Sequence, residues 1–158
     1  MKKTLFSFFL AMAFGAAYAN DYTKFVNPFI GTQTDDTGAL SGSTFPGATM
    51  PQGMVQLSPE TENNVTWDPC SGYDYNKNKI YGFTHTHLSG TGCTDLIDVS
   101  LMPVSWEVTP KMLQEGDFGQ TYSHDAEAAK PGYYMVHLQE SGVKVELSST
   151  VRTGIHHY

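Results

Sequence analysis

Two histidines separated by one residue, His85 and His87, lie in the run IYGFTHTHL at residues 80–88. On an extended strand, residues i and i+2 point to the same face. Such a pair can bind a metal, hydrogen-bond a ligand, or fix neighbouring loops through both ring nitrogens. Trp67, in WDPCSGY, can stack on the CH face of a sugar ring or cap the core, and Tyr73 and Tyr75 face the same choice. Asp95 closes the run SGTGCTD, where a carboxylate can accept from two hydroxyls or cap a turn. That glycine-rich run lacks the G-K-[ST] ending of a phosphate loop, and no helical pattern follows it. Cys70 and Cys93 allow a single bridge; the alternatives are two buried thiols, or a zinc site with His85 and His87 that lacks C-x-x-C spacing. Hydrolysis of a glycosidic bond needs two positioned carboxylates. None of the 16 acids sits in an apolar setting that marks it as a raised-pKa acid, and no Ser-His-Asp arrangement is legible. Residue types alone support binding more than catalysis.

The elements that hold these residues read as strands and turns. Alternating or β-branched runs predict strands at 54–58, 80–88, 96–104, 120–124, 133–138 and 143–151, with a hairpin turn at 140–142. Only 110–115 and 125–129 suit short helices. Residues 38–53 hold four glycines and two prolines and form an ordered loop anchored by Phe45 and Met50. Short, closely spaced strands with Gly/Pro turns predict an all-β antiparallel sandwich carrying elaborate loops. Residues 1–19 have a basic start at Lys2-Lys3, an apolar run and an Ala17-Tyr18-Ala19 cleavage pattern, so they read as a secretory signal peptide. Its removal leaves 139 of 158 residues and, with two lysines lost and no acid, moves the net charge from −7 to −9. The acidic balance and the lack of a Lys/Arg cluster beyond Lys2-Lys3 exclude a nucleic-acid partner. No later stretch is apolar enough to span a membrane. The predicted location is periplasmic or extracellular.

Taken in order, several runs resemble the N-terminal region of the family 92 glycoside hydrolases, calcium-dependent exo-α-mannosidases. They are VNPFIGT at 26–32, TFPGATMPQGMVQLSP at 44–59, CSGYDY at 70–75, IYGFTHTHLSGTGC at 80–93 and AKPGYY at 129–134, with Val145-Glu146-Leu147 through Arg152 also fitting. The resemblance implies a β-sandwich followed by a C-terminal (α/α)6 barrel that supplies the general acid and base. It also implies calcium near the mannose in the full-length enzyme, with no calcium ligand assigned to this chain. The sandwich lends loop residues to the pocket. At matching positions Trp67, His87 and Asp95 are expected to touch sugar, with Phe29 and His85 as further candidates and Gly90 and Gly92 letting the backbone approach. The chain reaches only Tyr158, so the expectation is an incomplete sandwich whose catalytic barrel lies outside it. Its expected partners are a mannose-containing glycan and that missing barrel. The alternative is a stand-alone carbohydrate-binding module without catalysis, which would leave strand edges unpaired.

Overall fold

The structure, a computed structural model, describes residues 21–34, 42–63, 70–90 and 96–158. In chain order the strands are β1 (Ala48–Thr49), β2 (Gln56–Glu60), β3 (Lys79–Ile80), β4 (Gly82–Thr84), β5 (Gln120–Thr121), β6 (Glu127–Lys130), β7 (Tyr133–His137), β8 (Lys144–Ser149) and β9 (Gly154–His157). One helix, α1 (Pro110–Glu115), lies among them. All pairings are antiparallel, in a three-stranded sheet β1-β2-β4, a pair β3-β5 and a four-stranded sheet β6-β7-β8-β9. Tyr81 alone separates β3 from β4, and its N–H bonds to the Glu60 carbonyl, so one residue divides the chain between two sheets.

The four-stranded sheet follows directly from side-chain alternation. Tyr134 and Val136 of β7 and Val145 and Leu147 of β8 are buried, while Lys144 and His137 are exposed. The buried face meets Ala48, Leu57 and Phe83 from the three-stranded sheet in one apolar cluster with Ile80, Tyr122 and Leu138. Burying a large side chain of this kind stabilises by roughly 1.5–3 kcal/mol. Ser149 Oγ donates to the Ala48 carbonyl at 3.1 Å and ties the two sheets together. The result is the antiparallel sandwich that the strand pattern predicts.

Helix α1 forms at the expected residues. Pro110 occupies its first turn, Thr109 Oγ1 accepts from Met112 N at 3.3 Å, and Gly116 ends it with φ +68°. Three expectations need correction. The strand over 80–88 ends at Thr84, because the next residues turn His87 into the interior. The strand over 96–104 does not form, because Leu96, Ile97 and Val99 have φ of +71°, +57° and +55°. A ladder cannot run through left-handed backbone. The segment still bonds back to β4, through Phe83 and Leu101 and from His85 N to Asp98 O. The stretch 125–129 is a 3-10 turn followed by β6, not an α-helix. Strand β9 is an element that the sequence pattern did not announce. Among the described residues no helix is long and apolar enough to cross a membrane.

Candidate functional site

The ends of β2 and β4 bring Glu60 and Thr84 into one buried polar cluster. Ser58 lies opposite Thr84 and Glu60 opposite Gly82 in the ladder. Thr84 Oγ1 donates to Glu60 Oε1 at 2.5 Å, and His87 Nε2 lies 2.5 Å from the same oxygen. On the other side of the ring, His87 Nδ1 donates to the Gln56 carbonyl at 2.7 Å. Phe45 packs against the His87 ring with centroids 4.7 Å apart. Gly90 N donates to Ser43 O at 2.8 Å, which joins the loop after β4 to the loop before β1. Glu60 Oε2 is buried against Gly72 and has no hydrogen-bond partner among the described residues. Glu60 also helps line a cavity of about 250 Å³ with Glu62, Asn63, Tyr81, Thr84 and Ser100.

Gly72 closes this cluster. Its φ is +85°, and a Cβ there would overlap the Glu60 carboxylate. Gly72→Ala is expected to destabilise the chain by about 3 kcal/mol, the combined cost of left-handed backbone and overpacking. Urea unfolding measures this. A loss below about 0.5 kcal/mol, the range of neutral surface changes, would show that the carboxylate moves aside freely.

The predicted site residues do not all converge. His87 is buried, only 2 % exposed, and spends both ring nitrogens on protein oxygens. His85 diverges from it: its Nδ1 bonds to the Val99 carbonyl at 2.9 Å and its Nε2 lies 3.2 Å from His156 Nε2. The two therefore do not share a face, because the strand ends before them. Phe29 packs edge-on against Tyr75 at 5.5 Å. Gly90 adopts φ +69°, as the expected turn requires. Trp67, Gly92 and Asp95 lie outside the described residues. Cys70 is buried with its Sγ against Ser43 Oγ, and its pairing with Cys93 falls outside the described residues. Among the described residues no group of three or more His, Cys, Asp or Glu side chains is arranged to hold a metal ion.

Sequence reasoning missed a second buried acid. Glu127, whose side chain is 1 % exposed, accepts from Tyr134 OH at 2.6 Å and Tyr73 OH at 2.9 Å, and His124 Nδ1 lies 2.7 Å from its other oxygen. His124 in turn stacks on Tyr75 at 3.9 Å and donates to the Tyr75 carbonyl. Burial, reinforced by the Glu127 charge, pushes the Tyr73, Tyr122 and Tyr134 hydroxyls well above the usual phenol range. The His124-x-x-Glu127 spacing was the only available signal. Glu60 offered less, because an acid at a strand end reads as the start of a polar loop.

The profile of the glycosyl hydrolase family 92 N-terminal domain matches residues 25–158. The chain belongs to this family. A family 92 α-mannosidase from Bacteroides thetaiotaomicron, also solved in complex with mannoimidazole, is 41% identical with a TM-score of 0.73, over 85% of this chain and 18% of that one. A family 92 inverting mannosidase from the same organism is 26% identical, with a TM-score of 0.63, over 85% and 17%. A protein of Arthroderma benhamiae named an uncharacterized secreted glycosidase is 25% identical over 90% of this chain and 18% of its own length. This family 92 domain thus spans less than a fifth of the relatives it matches, and its packed antiparallel sheets match their N-terminal domain.

Proposed function

We propose that this chain is the pocket-contributing N-terminal domain of an exported glycoside hydrolase that acts on mannose-containing glycans. The observation that carries this reading is the 41% identity to an α-mannosidase along 85% of the chain, combined with coverage of only 18% of that enzyme. The described acids agree with it. Glu127 is fully engaged and Glu60 is buried in a hydrogen-bonded cluster, so neither is placed to serve as a glycosidase acid or base. Under this reading the two catalytic carboxylates come from a C-terminal (α/α)6 barrel, and calcium binds with that barrel. Trp67, His87, Asp95, Phe29 and His85 remain the proposed sugar-side residues, His87 acting through the position it fixes for Phe45 and the loop 85–90. Export rests on the pattern of residues 1–19 and agrees with the secreted relative.

The test is an assay of the purified chain on an aryl α-mannoside with and without calcium, beside calorimetry with mannose and mannobiose. No turnover is expected. Turnover abolished by a chelator and restored by calcium would overturn the reading. Heat on titrating mannose at millimolar concentration would favour a stand-alone binding module instead. The nucleotide sequence after the Tyr158 codon gives an independent check, since a barrel-coding continuation is expected there.

A further inference from the structure

Strand β9 carries His156 to a position beside His85, 71 residues earlier in the chain. The two Nε2 atoms face each other at 3.2 Å, and the rings lie 4.7 Å apart. Each ring is held from its far side. His85 Nδ1 must donate to the Val99 carbonyl, because a carbonyl only accepts, and this leaves Nε2 as a bare lone pair in the neutral ring. The Nε2–Nε2 contact is then a hydrogen bond donated by His156, whose Nδ1, 2.9 Å from Tyr158 OH, accepts from that hydroxyl; moving the ring proton to Nδ1, where Tyr158 OH can accept it, frees both Nε2 lone pairs for a metal ion. A metal-bound imidazole is normally held in this way, with the free nitrogen donating to a carbonyl or other outer group that fixes the tautomer. Two imidazole nitrogens bound to a tetrahedral zinc at about 2.0–2.1 Å stand about 3.4 Å apart. The observed gap needs to change by only a few tenths of an ångström to reach that spacing. Both rings are half-buried, and the neighbouring Val99, Ile155 and Tyr158 are exposed, so the edge of the pair reaches solvent.

We propose that His85 and His156 form a two-imidazole site for a late first-row divalent metal ion, with water completing the coordination. The donor set selects the metal. Neutral imidazole suits zinc, nickel and copper, whereas calcium takes hard oxygen ligands. This site is therefore separate from any calcium site, and it does not depend on the catalytic reading of the domain. His157, next in sequence, faces away and bonds to Glu146 at 3.0 Å.

Zinc is the probe. Calorimetry of the purified chain is expected to show one zinc ion bound, undiminished by excess calcium. His85→Ala and His156→Ala should each weaken it by at least about tenfold, the scale of losing a ligand or its support, while His157→Ala stays within about twofold by the same scale. Nitrogen NMR of the unaltered chain needs no variant to fold. It should move the Nε2 signals of His85 and His156 and leave those of His87 and His124 in place. Displacement of zinc by calcium would overturn the proposal. So would a His85→Ala chain that binds as tightly as the parent, or a loss in His157→Ala equal to that in His156→Ala.

Discussion

Replacing Glu127 with alanine is expected to cost about 3–5 kcal/mol, the size of removing one partner from a buried charged cluster. Three donors converge on this carboxylate: Tyr73 OH, Tyr134 OH and His124 Nδ1. Alanine leaves the buried Tyr73 and Tyr134 hydroxyls without this acceptor, while the His124 side chain, 31% exposed, can turn to water, and each stranded buried group costs on the order of 1–3 kcal/mol. Domains of this size hold only about 5–15 kcal/mol in total, so the variant should unfold at much lower urea. The loss should also spread along the chain, because the carboxylate connects the loop before β3 with β6 and β7. Glu127→Gln keeps the volume and one acceptor oxygen and should lie between the parent and alanine. The check is urea unfolding followed by circular dichroism. A shift under about 1 kcal/mol, the worth of one ordinary hydrogen bond, would mean that the donors find other partners or water.

What the sequence disclosed follows from which interactions are local. Residues 133–138 and 143–151 announced their strands because every second side chain is apolar, and Pro131-Gly132 announced its turn because Gly132 takes φ +75°. Helix α1 was legible over 110–115, and the caps that fix it, Thr109 and Gly116, lie within a few residues of it. The failures have a common physical source in contacts between distant residues. Leu96, Ile97 and Val99 look like strand residues, yet their backbone is left-handed where the chain folds back onto β4. His85 and His87 look like a same-face pair, yet Glu60, 27 residues before His87, draws one ring inward, while β9 receives the other. Of the candidate site, the family strings supplied the positions, and only the fold supplied the partners. Glu60, Glu127 and His156 gained their roles from residues too far away in sequence for spacing to display.

Raising the pH above 10 should unfold the chain steeply. Tyr73, Tyr122 and Tyr134 are packed together, and burial, then the Glu127 charge, holds all three phenols above their ordinary value of 10. A phenol whose folded pKa is raised contributes its full stability below the unfolded pKa. It loses that stability as pH rises, because only the unfolded chain can release the proton. Each such group costs about 1.4 kcal/mol per pH unit above 10, so three together cost about 4 kcal/mol by pH 11. That is a large part of the stability available to such a domain. Phenolate absorbance and circular dichroism, followed on the same sample, provide the test. Exposed tyrosines such as Tyr22, which is 67% exposed, should ionise first without loss of structure. The buried three should then ionise together with the loss of sheet signal. Tyr134→Phe removes one of the three protons and should reduce the slope by about a third of its value, near 1.4 kcal/mol per pH unit. If every tyrosine titrates in a single step near pH 10 while the sheets stay intact, the phenol cluster around Glu127 is open to water and the Glu127→Ala effect argued above must shrink with it.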